Sequence, residues 1–176
     1  MKTRSHLKNR LFFCAAIGAA SLLGACNSYE LVLNERELYD SRDYRGSLDF
    51  RDGALKSCVT SVVTEQRLNR PAQLTNLLCG PGEINNLTGL EQFVQLRQLG
   101  LAGNSVKQLA LLESFAVLES LNLANNEVVN AQPLTTLKQL IYLDLRGNQN
   151  LDCNTLHELR TRKALKLLVP EHCASN

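Results

Sequence analysis

A spacing of leucines recurs every 22 residues from Leu74 onward, and it limits the possible folds more than any other feature of the chain. Cut at that period, the sequence reads LTNLLCGPGEINNLTGLEQFVQ, LRQLGLAGNSVKQLALLESFAV, LESLNLANNEVVNAQPLTTLKQ and LIYLDLRGNQNLDCNTLHELRT. The fourth position holds Leu77, Leu99, Leu121, Leu143 and, one period on, Leu165; the sixth holds Cys79, Leu101, Leu123, Leu145 and Leu167. Leucines two residues apart share one face of a β-strand, because strand side chains alternate. Further along each unit come Leu90, Leu112, Leu134 and Leu156, then Phe93, Phe115, Leu137 and Leu159. One such unit cannot bury its own apolar face, so the units must stack. Pro133, the Gly and Asn turns and the two-residue leucine alternation disfavour a stack of helices.

This pattern resembles the leucine-rich repeat family in its 22-residue, internalin-like bacterial form, from about Leu74 to Leu167. The resemblance implies an α/β solenoid: about five short parallel strands side by side, leucines inward, with capped ends. Four repeats over 74–161 follow, between an amino-terminal cap at 49–73 and a carboxy-terminal cap at 162–176. Position nine holds Gly82, Asn104, Asn126 and Asn148. There the asparagine turns the chain, and its amide satisfies backbone groups that the bend would leave bare. Departures gather at the ends, as expected of caps: Gly82 in the first unit, Asn150 in the fourth, Arg162 and Pro170 in the fifth. Pro170 is expected to stop the ladder.

Ahead of the repeats, DGALKSCVTSVVTEQRL predicts a cap helix with Asp52 at its N-cap and Leu55, Cys58, Val59 and Val62 on one face. Cys58 then faces the array and Cys79 points inward from the first strand, so a bridge between them would staple helix to sheet. The segment resembles the amino-terminal cap of secreted bacterial repeat proteins. Cys153 and Cys173 flank the last helical turn and final strand, where closing a loop of about 20 residues contributes roughly 3 kcal/mol. Crossed pairing of the four cysteines is an alternative. So is a zinc set of Cys153, His157, His172 and Cys173. Oxidising export favours disulfides, and no metal or cofactor is expected. Losing the Cys58/Cys79 pair is expected to cost more than losing Cys153/Cys173, because Cys79 is a core position.

Export is read from the first residues. MKTRSHLKNR is basic, LFFCAAIGAASLL is a short apolar run, and GAC follows, the three-part order of a secretory leader over 1–25. Leu23 to Cys26, LGAC, resembles a bacterial lipobox, which implies a lipidated Cys26 as first mature residue, anchored by several acyl chains. Asn27 after it implies the outer membrane by the bacterial sorting rule. The stretch from Asn27 to Leu48 is read mainly as a tether, with packing along the domain as the alternative, and the alternation of Tyr29, Leu31 and Leu33 allows a short edge strand.

Without the leader the charge drops from +2 to about −2, since Lys2, Arg4, Lys8 and Arg10 all precede Cys26. That is no nucleic-acid footprint. No nucleophile motif surrounds a serine, no glycine-rich phosphate loop follows a strand, and the acids are scattered, so neither an enzyme nor a small-molecule substrate is expected. The partner expected is a protein or peptide of the cell envelope, met on the concave sheet face by Gln98, Ser120, Asn122, Tyr142, Asp144 and Arg146. Tyr and Arg are the side chains most enriched at binding hot spots. Alternatively, Asp144 and Arg146 are a plain surface pair, and the protein is a structural spacer of the envelope whose concave face has no specific ligand. The array at period 22 places Ala164, Lys166 and Leu168 on the fifth strand's concave side. The pattern says nothing of oligomeric state.

Overall fold

A computed structural model describes residues 49–174, together with the backbone of a hairpin ahead of them in which β1 (Glu30–Leu33) pairs antiparallel with β2 (Arg36–Asp40). The leader, Cys26 and Asn27 lie outside the described residues. Where the alternation allowed one edge strand in the tether, two strands pair. Among the described residues, no helix is long and apolar enough to cross a membrane.

The amino-terminal cap is helix α1 (Gly53–Glu65). Asp52 starts it: one carboxylate oxygen accepts the Leu55 amide at 2.9 Å, and the other accepts the amides of Asn85 at 2.9 Å and Asn86 at 3.2 Å in the first repeat. One side chain thus caps the helix and joins it to the array. Burial pushes the Asp52 carboxyl up, but amide hydrogen bonds from Asn85, Leu55, Asn86 and Ala54 outweigh it and hold the group below the ordinary carboxylate range. Leu55, Val59 and Val63, one helical turn apart, are buried, and Cys58 and Val62 are half-buried beside them. Tertiary packing of this face overrides the poor helix propensity of valine.

Five three-residue strands follow: β3 (Asn76–Leu78), β4 (Gln98–Gly100), β5 (Ser120–Asn122), β6 (Tyr142–Asp144) and β7 (Lys166–Leu168), parallel and in chain order. Leu77, Leu99, Leu121 and Leu143 stand side by side and are fully buried. Short 3-10 turns on the convex side return Leu90, Leu112, Leu134 and Leu156 to the same core, with Phe93 and Phe115 beneath them. Each buried leucine contributes about 1.5–3 kcal/mol relative to exposure, and the stack supplies the burial that no single unit has.

The asparagines do more than turn the chain. Oδ1 of Asn104, Asn126 and Asn148 accepts the amides of Ile84, Val106 and Val128 at 3.0, 2.9 and 2.9 Å, in the preceding repeat. Their Nδ2 groups donate to carbonyls on both sides, Asn126 to Leu101 at 2.8 Å and Leu123 at 3.1 Å, Asn148 to Leu123 at 2.9 Å and Leu145 at 2.8 Å. Each asparagine stitches its repeat to the one before. The first repeat has only the cap helix before it, and there Gly82 stands at this position while Asp52 takes the free amides. The residue ahead of each asparagine is left-handed, with φ of +71° at Gly103, +53° at Asn125 and +76° at Gly147, which is why Gly and Asn occupy those turns.

The fifth strand departs from the period. Leu143 pairs with Leu167, not Leu165, and Tyr142 and Asp144 pair with Lys166 and Leu168. From Leu137 to Leu143 is six residues, but from Leu159 to Leu167 is eight; the two extra residues follow the helical turn α2 (His157–Arg160). Ala164 is therefore not on the strand. Arg162, in an apolar position by sequence, folds back so that its guanidinium donates to the carbonyl of Leu137 at 2.8 Å and to that of Thr135. β7 ends at Leu168, short of Pro170.

Both expected bridges form. Cys58–Cys79 spans 5.7 Å between Cα atoms and ties α1 to β3; Cys153–Cys173 spans 5.3 Å and closes the far end. Cys173 is as buried as any core leucine, at 0% exposure against 6% for Cys79, so the far bridge also lands in the core. Cys153, His172 and Cys173 bring their donor atoms within 4.8 Å of one another. The two sulfurs are joined to each other, however, and the His172 Nε2 lies 3.0 Å from the Leu151 carbonyl.

Candidate binding face

Strand alternation sends Leu77 and its equivalents inward and their neighbours to the concave surface. Two rows of side chains result, read across the sheet. The first is Asn76, Gln98, Ser120, Tyr142 and Lys166; the second is Leu78, Gly100, Asn122, Asp144 and Leu168. Gly80, Ala102, Ala124 and Arg146 extend the surface beyond the strand ends. Five strands at about 4.8 Å make a face about 20 Å wide, so a peptide, a loop or one edge of a protein fits it. A standard interface uses roughly 20–30 residues a side.

The six expected contact residues all lie on this face, but they are not equally available. Gln98 and Arg146 are exposed; Ser120, Asn122 and Tyr142 are half-buried. Asn122 turns its Oδ1 to the Ala124 amide at 3.0 Å, so that oxygen is occupied. Asp144 lies beneath the surface at 1% exposure. It accepts the Arg146 amide at 3.1 Å and Arg146 Nε at 3.0 and 3.2 Å, with the Arg146 terminal nitrogen at 2.5 Å and the Tyr142 hydroxyl at 3.4 Å. Burial pushes the Asp144 carboxyl up; the side-chain and backbone hydrogen bonds of Arg146 and its charge outweigh burial and hold it below the ordinary range. The same pairing, hydrogen bond first and charge second, raises Arg146. Asp144 is thus a support for Arg146, and Arg146 presents 61% of its side chain to solvent.

The 22-residue period puts Lys166 on this face but level with Asp144, and it is not among the expected contacts. Its Nζ lies 5.7 Å from the centre of the Tyr142 ring, a cation–π distance, because the shifted register sets Lys166 directly beside Tyr142. The signal was present in the longer interval after Leu159. The run Leu165, Leu167, Leu168 and Val169 concealed it by offering an apolar residue inward in either register.

At the opposite edge Leu78 is 69% exposed and leans over Gly100, where a Cβ would lie 2.8 Å from its Cδ2. Between the two ends the surface is small and smooth. Beyond the end of β6 the face opens into a cleft of about 460 Å³ lined by Arg146, Gly147, Gln149, Val169, Pro170, Glu171 and His172. The exposed pairs Arg97–Glu119 and Lys107–Glu127 link neighbouring repeats along the flanks, and exposed pairs of this kind contribute under about 1 kcal/mol. His157 and His172 sit in the closing turns rather than on the sheet.

No protein-family model matches the sequence, and no curated protein sequence matches it. Among solved structures, an internalin of Listeria monocytogenes, inlF, is similar with a TM-score of 0.50 and 19% identity, over 69% of this chain and 43% of its own. Internalin C2 of the same organism, inlC2, has a TM-score of 0.44 and 26% identity, over 56% of this chain and 43% of its own. The chain thus spans less than half the length of either. The parallel five-stranded sheet and the likeness to inlF together give the architecture: the protein is built as a short leucine-rich repeat solenoid, similar in fold to the internalins.

Proposed function

We propose that the protein is a lipid-anchored component of the bacterial cell envelope that binds a protein or peptide without catalysis, through the concave face. The observation that carries this reading is the Tyr142–Asp144–Arg146 group. A buried carboxylate holds an exposed guanidinium in place beside an aromatic ring. Fixing a long side chain in advance lowers the entropy lost on binding, which is how a small face gains affinity. In a spacer the same pair would only add stability, and the exposed edge of the guanidinium beside the ring is what favours a contact. The leader and the LGAC motif support lipidation of Cys26, and Asn27 supports the outer membrane. The test is chemical crosslinking in intact cells with Tyr142 and Arg146 both changed to alanine. Loss of the captured partner, with the melting curve of the purified variant still cooperative, is expected. Full retention of every crosslinked partner would favour the spacer.

A further inference from the structure

The fourth and fifth strands carry enough chemistry to specify the partner's character, given the concave-face reading above. Two cations stand there. Arg146 gives Nε and one terminal nitrogen to Asp144 and has its other terminal nitrogen left over, on a side chain mostly in solvent. Lys166 lies over the Tyr142 ring, which attracts the ammonium without cancelling its charge. The one acid on these two strands is Asp144, already buried under Arg146. The sheet side of this corner therefore offers two exposed cationic groups over one buried carboxylate, with Glu171 standing apart on the cleft wall, while the chain without its leader is acidic.

We propose that this corner receives an extended acidic peptide segment of a partner protein. One carboxylate sits over the Tyr142 hydroxyl between Lys166 and Arg146. An apolar side chain next to it enters the 460 Å³ cleft and rests on Val169 and Pro170. A carboxylate matches the planar edge that Arg146 has left and the point charge of Lys166. The Tyr142 hydroxyl, held to Asp144 only at 3.4 Å, is free to turn and donate. The small residues Ala102 and Ala124 raise no side chain between this corner and Leu78, which covers Gly100 at the far edge. Glu171 on the cleft wall, beside His172, opposes a second carboxylate entering the cleft and favours the apolar side chain there. A second copy of the chain is disfavoured as occupant through this corner, since two such corners would bring like charges together.

The test uses the oxidised mature chain and three fluorescein-labelled nonapeptides that alternate leucine with glutamate, glutamine or lysine, read by anisotropy at low salt and at about 0.15 M. The glutamate peptide is expected to bind about tenfold more tightly than the glutamine peptide, and the lysine peptide not at all. Lys166→Gln alone, at an exposed position with no part in the core, is expected to reduce the glutamate preference about threefold, and raised salt is expected to weaken it further. Equal binding of the glutamate and glutamine peptides, or an unchanged preference in Lys166→Gln, would overturn the proposal. If crosslinking to a cellular partner still depends on Tyr142 and Arg146 in that case, the acidic character fails while the concave binding face stands.

Discussion

The Asp144 carboxylate holds Arg146 with both oxygens, at 3.0 and 3.2 Å from Nε, while itself being buried beneath the concave face. Burial and pairing act on Asp144 in opposite directions, and pairing wins. Removing the guanidinium leaves burial less opposed. In Arg146→Ala the Asp144 carboxyl is therefore expected to titrate at higher pH than in the wild type, followed by carboxyl-carbon NMR. An unmoved titration would show that Arg146 is not what holds the charge.

Acid sensitivity follows from Asp52 and Asp144 together, both depressed in the folded protein. A carboxyl whose folded pKa lies below its unfolded value, about 3.9 for Asp, stabilises the fold fully above that value. The contribution is lost as pH falls toward the folded pKa. The denaturant midpoint is expected to be level from neutral pH to about 5 and to fall below about 4. Asp52→Asn should flatten part of that fall. It should also cost about 1–3 kcal/mol at neutral pH, because the amide cannot accept from Leu55, Asn85 and Asn86 as the carboxylate does.

Asn126 bonds the Val106 amide with its oxygen and the Leu101 and Leu123 carbonyls with its nitrogen. Asn126→Ala strands these groups in the core at about 1–3 kcal/mol for each left unpaired. A loss of at least about 3 kcal/mol in urea unfolding is expected. A loss under about 1 kcal/mol would mean that water replaces the side chain.

The two bridges close loops of similar length, with sequence separations of 21 and 20, and each has a core sulfur. The sequence suggested that the first pair matters more. With Cys173 fully buried, the double serine variants at Cys58/Cys79 and at Cys153/Cys173 are now expected to lose similar stability, about 3 kcal/mol each, with a further cost for a buried hydroxyl. Differential calorimetry of both variants measures this. A mass spectrum of the unreduced chain, showing no free thiol among these four, checks the premise.

Cys26→Ser tests the anchor. The variant is expected to remain uncleaved at Ala25 or to leave the detergent-soluble membrane fraction. Unchanged processing and partition would sink the lipid anchor.

The repeat alone determined the stack, the inward leucines and the asparagine turns, because periodic burial leaves its record in residue type: Leu77, Leu99, Leu121 and Leu143 have one environment and therefore one identity. Asp52 as helix cap was legible because capping depends on short-range pattern, whereas the sequence favoured the observed cysteine pairs but left crossed pairing open until the fold brought each pair together. Tertiary structure decided what that pattern leaves equal. Leu165 and Leu167 are both leucines, and only the packing of α2 and the hydrogen bonds of Arg162 to Thr135 and Leu137 choose the register that brings Lys166 beside Tyr142. Asp144 and Arg146 read as two surface charges in sequence. The backbone path sinks one and raises the other, and side-chain depth of that kind is a property of the folded surface, not of residue type.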